Sequence, residues 1–270
     1  MTNLLRRHVA LPQDHGSWAF FLGPLIVGLF VGGRWHITVI YLTVAAVCGF
    51  LVRQPIGLLI KVAAGRRGRD VVPAATFWVA LYGAIAVLHV VGLVMRGFAY
   101  ILVLAVPGLL VFAWYLVLLY RRAERRQRLM EILATGSIAL VAPAGMWAGQ
   151  GAADSLGWWL WLLMWIQSAT GIVYVYLRLE QRSLKRAPSA QERMSMGTAA
   201  LAIAATGLVL ALALGRVGVV SPWLWVPYLW QASEVARGVW RPALGLKPVA
   251  IGMRQLLVKV VFVALFVALW

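Results

Sequence analysis

Apolar stretches broken by short charged or Gly/Pro-marked turns recur along the whole chain. They fall at about 17–32, 36–54, 71–95, 98–120, 131–149, 156–178, 196–215, 220–238 and 252–270. Backbone amides cannot go unpaired in hydrocarbon, so a run of ~20 mostly apolar residues reads as a helix that crosses a bilayer. The pattern therefore predicts an all-α, polytopic membrane bundle of about nine transmembrane helices, forming a single domain over residues 1–270. The second run continues into Pro55-Ile56-Gly57-Leu58-Leu59-Ile60-Lys61, too short to cross alone and read as an interfacial extension. Arg6 and Arg7 precede the first run as in a secretory signal. That run passes straight into a Gly32-Gly33-Arg34-Trp35 turn without a small-residue cleavage site, so it is read as a retained helix.

Charge fixes a direction for this bundle. With the N-terminus inside, the inner segments carry Arg6 and Arg7; Arg53, Lys61, Arg66, Arg67 and Arg69; Arg121, Arg122, Arg125, Arg126 and Arg128; Arg178, Arg182, Lys185, Arg186 and Arg193; and Arg237, Arg241, Lys247 and Arg254. The outer loops carry only Arg34, Arg96 and Arg216, and Lys259 is left inside the last span. Cationic loops stay cytoplasmic during insertion, so the expected topology is N-in/C-out. Trp35, Trp147, Trp158, Trp159, Trp161, Trp223 and Trp225 fall near the outer ends, as an aromatic belt requires; belt and packing roles are weighed against contact with a pigment.

Composition agrees: 63% of the 270 residues are hydrophobic and only 12% charged. The net charge of +17 would suggest nucleic acid in a soluble protein. Here the arginines lie in loops, so topology accounts for them and nucleic acid is excluded as a partner. The single cysteine, Cys48, excludes an internal disulfide and any multi-cysteine metal site. The chain has no nucleotide-binding glycine motif, no His-Glu-x-x-His, no Gly-x-Ser-x-Gly and no carboxylate cluster to hold magnesium. No protein-bound metal is expected; a haem would have His15 and His89 as its available ligands. The cofactor, if any, is open.

Polar side chains within spans are costly and therefore informative. They gather at the inner ends: Gln13, His15 and Trp18 at helix 1, Arg53 and Gln54 at helix 2, Gln167, Tyr174 and Arg178 along helix 6, Gln231 and Glu234 on helix 8, and Arg254 and Gln255 opening helix 9. Gln231, Glu234 and Arg237 share one helix face, and Gln167, Thr170, Tyr174 and Arg178 form a similar stripe. Two readings stay open for Glu234: interhelical pairing with Arg237 or Arg254, or a pocket open to the cytoplasm or inner leaflet in which it serves as acid, base or cation contact. His15 is either part of an interfacial helix start or, with Glu234, a catalytic candidate. Arg53 and Arg178 either snorkel to lipid phosphates or receive an anionic headgroup. His89, amid Ala, Val and Leu, reads as a packed or water-linked histidine.

Several of these residues carry a resemblance. Pro12 followed by His15-Gly16-Ser17-Trp18, the Arg53-Gln54-Pro55 ending of helix 2, Val173-Tyr174-Val175-Tyr176-Leu177-Arg178 and Lys247-Pro248 with Ile251-Gly252 resemble the YwiC-like family of bacterial membrane proteins. The resemblance implies a multi-pass protein of the bacterial cytoplasmic (inner) membrane, and brings no reaction with it. The helix count and the inner loops after helices 2 and 6 also look like the UbiA prenyltransferase superfamily. That superfamily holds magnesium and a prenyl diphosphate with Asp-rich motifs at those two ends. Here the places read Leu51-Val52-Arg53-Gln54-Pro55 and Leu177-Arg178-Leu179-Glu180-Gln181-Arg182, without an aspartate. If the chain is an enzyme, it is a UbiA-like transferase that does not use that metal-diphosphate site.

The expected function is to bind or process an amphipathic ligand (a lipid, an isoprenoid or quinone, or a haem-like molecule) in a cytoplasm-facing intramembrane pocket. The alternatives are a transporter, for which Glu234, Pro107 and Pro143 speak and the absence of a repeat speaks against, and a structural or assembly subunit of a larger membrane complex.

Overall fold

The computed structural model describes residues 4–12, 15–124 and 127–270, with His15 in its backbone alone. Gln13, the His15 side chain, Arg125 and Arg126 lie outside the described residues. The regular structure described is helical throughout: α1 (Arg7–Ala10), α2 (His15–Gly32), α3 (Ile37–Ala63), α4 (Val72–Met95), α5 (Ala105–Tyr120), α6 (Arg128–Ala139), α7 (Val141–Gln150), α8 (Leu156–Arg182), α9 (Ala190–Arg216), α10 (Trp225–Trp240) and α11 (Pro248–Leu269), with 3-10 turns at Arg69–Val71 and Ala99–Leu104.

Among the described residues, seven helical stretches are long and apolar enough to cross a membrane: Ile37–Ala63, Arg69–Met95, Ala99–Tyr120, Arg128–Gln150, Leu156–Arg182, Ala190–Arg216 and Pro248–Leu269. The protein is a multi-pass membrane protein in contact with the bilayer. The other two expected crossings are shorter helices. The first keeps an apolar stretch of Gly16–Gly32. The eighth is the 16-residue α10, about 24 Å of helix against a hydrocarbon layer of about 30 Å. It starts five residues late because Ser221-Pro222 belongs to a turn, in which the Ser221 hydroxyl accepts the Trp223 N–H at 3.4 Å.

Proline and capping chemistry explain the other differences. The expected run at 131–149 is two helices, because Pro143 has no N–H for the Ala139 carbonyl and the ladder breaks at Leu140. Conversely, α3 runs through Pro55 to Ala63, so the interfacial extension is a continuous part of the same helix. α9 begins six residues early because Ser189 and Glu192 form a capping box: the Glu192 N–H donates to Ser189 Oγ at 3.2 Å and the Ser189 N–H to the Glu192 carboxylate at 2.7 Å.

The bundle is centred on α7, where Ala142, Ala144, Met146, Trp147 and Ala148 are all buried. α2 crosses it at backbone distance. A Cβ on Gly28 would overlap the Ala142 backbone, and one on Gly149 would stand 3.0 Å from the Gly32 backbone. Both helices thus carry the small-xxx-small spacing, Gly28/Gly32 on α2 and Gly145/Gly149 on α7, that lets apolar helices pack by close approach. Thr38 of α3 adds a hydrogen bond to the Ala148 carbonyl at 3.1 Å. A second cluster of Tyr174, Leu177, Ala200, Ala204, Val235 and Val239 joins α8, α9 and α10. α4 and α5 lie at the periphery: 11% of the apolar window of each is buried, against 56% for α6–α7 and for α8.

At one end a charged clamp ties two turns together. Arg66 donates to the Leu119 carbonyl at 3.0 Å and to the Glu124 carboxylate at 2.6 Å, and Arg122 donates to the Ala64 carbonyl at 3.1 Å. The hydrogen bond from Arg66 holds the Glu124 carboxyl below its ordinary value of 4.5.

Two outcomes are expected. Gly28→Ala lowers stability in detergent by about 1–3 kcal/mol, read from thermal unfolding, whereas Gly49→Ala, whose added methyl meets nothing within 4 Å, leaves it unchanged or slightly raised. The Glu124 clamp contributes stability above pH 4.5 that is lost as pH falls through the depressed native value. The melting temperature of wild type should therefore drop on acidification more than that of Glu124→Gln.

Candidate functional site

Buried polar side chains are unevenly spread. Among the described residues they comprise Thr38 and Thr135 in the N-terminal half, and then Gln167, Ser168, Thr170, Arg178, Gln181, Gln231, Glu234 and Lys259, all on α8, α10 and α11. Lipid offers no hydrogen bond, so such groups turn to their own helix, as Thr170 does to the Ile166 carbonyl at 2.8 Å, or to a neighbouring one.

Glu234 is the node. α11 runs antiparallel to α10, with Trp230 donating to the Val258 carbonyl at 3.2 Å, so Arg254 comes to lie across from Glu234. Its Nε and Nη2 donate to the two carboxylate oxygens at 2.5 Å each, the fork geometry that suits arginine. The Tyr174 hydroxyl donates to Oε1 at 3.1 Å from α8, and Arg237 stands 3.6 Å away. The Tyr174 ring reaches this point because Gly238 leaves room for it; a Cβ there would collide with the phenol. Three helices are thereby joined at one carboxylate.

Arg178 has a different task. Its Nη1 donates to the Gly238 carbonyl at 2.8 Å, the Arg241 carbonyl at 2.7 Å and Gln181 Oε1 at 2.9 Å. Gln181 in turn donates to the Gly238 carbonyl and accepts the Ala243 N–H. The last carbonyls of α10 have no donor within the helix and form the negative end of its dipole, so a buried guanidinium there acts as a C-terminal cap. Gln231 donates to the Gln167 carbonyl at 2.8 Å.

The helix 1 and helix 2 candidates gather elsewhere. Trp18 donates to the Pro12 carbonyl at 3.3 Å and meets Phe50 edge-on, Phe21 stacks on Phe50 at 4.5 Å, and the Arg53 guanidinium lies 4.1 Å from the same ring. Gln54 donates to the His8 carbonyl at 3.1 Å, anchoring α1 to α3. α2 stands between the two groups: Trp18 and Phe21 face α3, while Phe20 and Gly23 face α8 and α11. The structure thus brings Gln167, Tyr174, Arg178, Gln231, Glu234 and Arg254 into one sector, and Trp18, Arg53 and Gln54 into another.

Lys259 lies on the α2–α11 seam, 8% exposed, at the middle of a 22-residue helix. Among the described residues its ammonium has no hydrogen-bond partner. Its stem passes over Gly23, where a Cβ would stand 3.0 Å from Cε, and its Nζ lies 4.1 Å from the Phe20 ring centroid. A charged side chain at a helix centre costs about 2.5–3.5 kcal/mol on insertion scales, and a desolvated cation–π contact returns about 2 kcal/mol. The position is therefore held at a net cost. Gln255, one turn nearer the helix start on the same face, is half-buried and makes no hydrogen bond among the described residues.

Two surface clefts lie away from this sector: one of about 420 Å³ beside Arg186, Gln191 and Glu192, and one of about 350 Å³ between Trp114 and Ser137. Trp147, expected in the outer belt, is instead 3% exposed and donates to Asp154 at 3.2 Å. His89 is packed, its Nδ1 2.7 Å from the Ile85 carbonyl. Sequence reasoning did not single out Gln181 or the role of Lys259. The signal for Lys259 was available: a lone cation in an otherwise apolar span.

If Glu234 ties the sector together, Glu234→Gln and Arg254→Met each cost roughly 2–3 kcal/mol, less than a fully buried pair because Arg254 is 44% exposed. The double variant should cost less than the sum, as read from thermal unfolding in a double-mutant cycle.

The chain was also compared with known proteins. No curated protein and no solved structure matches it. The family described as YwiC-like protein matches residues 11–146, which carry α2 through most of α7 and include Trp18, Arg53 and Gln54, and stop short of α8, α10 and α11. With half of its length matched, the chain belongs to the YwiC-like family.

Proposed function

We propose that this YwiC-like protein binds an amphipathic ligand (a lipid, an isoprenoid or quinone, or a haem-like molecule) within a nine-crossing, UbiA-like bundle of the bacterial cytoplasmic membrane, N-terminus inside and C-terminus outside. The observation that carries this reading is the gathering of eight of the ten buried polar and charged residues, among the described residues, on α8, α10 and α11; the other two are Thr38 and Thr135. Most of these groups join one helix to another, and the one left without a hydrogen-bond partner among the described residues, the Lys259 ammonium, is what a bound head would meet. The excess of Lys and Arg in the segments assigned to the inside supports the orientation. On this reading Glu234, Arg254, Tyr174 and Arg178 shape the wall and hold the helices in register, and the ligand's polar head meets the remaining polar groups of that wall.

A second reading, a structural subunit of a larger membrane complex, is favoured by the completeness with which Glu234 and Arg178 are engaged by their own neighbours.

Native mass spectrometry of the full chain released from mild detergent separates the two. Binding predicts a stoichiometric co-purifying amphiphile and a thermal shift with at least one member of a lipid and isoprenoid panel. A ligand-free protein whose stability no member of the panel changes overturns it in favour of the structural subunit.

A further inference from the structure

We propose that Lys259 and Gln255 form a receiving site for the single carboxylate of an amphipathic acid, with the acid's apolar body lying along the α2–α11 seam. This deepens the ligand-binding reading above and rests on it. The first observation is the Lys259 ammonium, buried, at mid-span, and without a hydrogen-bond partner among the described residues. The second is Gln255, on the same face one turn away, half-buried and making no hydrogen bond among the described residues. Side chains four apart on a helix stand about 5–6 Å from each other at Cβ, a span over which an ammonium and an amide can each donate to one oxygen of the same carboxylate.

The charge count selects the class. One ammonium compensates one negative charge. The guanidiniums of Arg254 on α11 itself, Arg178 on α8 and Arg237 on α10 are engaged: Arg254 on Glu234, Arg178 on the carbonyls of Gly238 and Arg241, and Arg237 beside Glu234. Glu234, held by Arg254 and Tyr174, is likewise committed elsewhere and does not serve Lys259 as a counter-ion. A phosphate dianion or a diphosphate would be left under-compensated here, and a neutral head would accept a hydrogen bond but leave the charge of the ammonium uncompensated.

The surroundings suit an apolar body. Phe20 lies beneath the ammonium, Val263 flanks Gly23, and the missing side chain of Gly23 admits the apolar lysine stem to the seam. Pro24, the next residue of α2, has no N–H to give to the Phe20 carbonyl, so the helix wall facing the lysine is the one already weakened.

The test uses detergent-solubilised full-length protein and three probes sharing one chain: oleate, oleyl alcohol and oleyl phosphate. Wild type is expected to bind oleate at least tenfold more tightly than the alcohol. Lys259→Met should bring oleate down to the level of the alcohol, while Gln255→Leu, a change at a more accessible position, should weaken oleate severalfold and leave the alcohol unaffected. Equal binding of oleate and oleyl alcohol by wild type, discrimination retained by Lys259→Met, or tighter binding of the phosphate overturns the carboxylate site and leaves ligand binding standing. Binding of none of the probes, together with a ligand-free protein in the mass spectrum, overturns both.

Discussion

Everything else in the bundle is hung on the contact between α2 and α7. Apolar side chains gain little by leaving lipid for one another, so two helices in a membrane are held by how closely they can approach and by what polar groups they can share. Gly28 and Gly32 on one helix, with Gly145 and Gly149 on the other, reduce that approach to backbone on backbone. Once α2 is fixed on one side, its remaining faces are committed. Phe21 and Trp18 turn to Phe50 on α3, and Phe20 and Gly23 turn to α11. The position of Lys259 relative to α2 is thus a downstream result of four glycines that it does not touch.

The C-terminal half uses the other means of cohesion. There the helices share polar groups, and the sharing is layered along the axis: Tyr228 donating to the Leu163 carbonyl, Gln231 to the Gln167 carbonyl, Tyr174 and Arg254 on Glu234, and Arg178 at the end of α10. Each layer fixes the register of α10 against α8 or α11. A slip of one residue along any of these helices would leave a buried amide or charge facing hydrocarbon. Specific pairing therefore does in this half what close contact does in the other.

The helices and their approximate extents could be read from the apolar runs because the solvent imposes them: hydrocarbon demands length and closed backbone bonding. The Glu234 pairing with Arg254 was within reach of the sequence for a similar reason, since few groups can compensate a carboxylate at that depth. What escaped was set by partners distant in the chain. That Arg178 would cap a helix rather than meet a lipid depended on where α10 ends, which nothing local to Arg178 specifies. The break at Leu140 was signalled by Pro143, but its effect lies four residues upstream, on the carbonyl the proline cannot serve. Gln54 shows the same limit: its neighbour is the His8 carbonyl of a four-residue helix too short to register as a pattern.

The backbone contact between α2 and α7 also determines where the bundle can open. Two main chains in van der Waals touch leave no width for a hydrocarbon tail, and prising them apart would forfeit every contact that holds them. The seam between α2 and α11 is instead filled by a flexible four-carbon stem laid over a glycine. Parting α2 from α11 therefore costs side-chain contacts alone, whereas parting α2 from α7 costs main-chain contact along two turns.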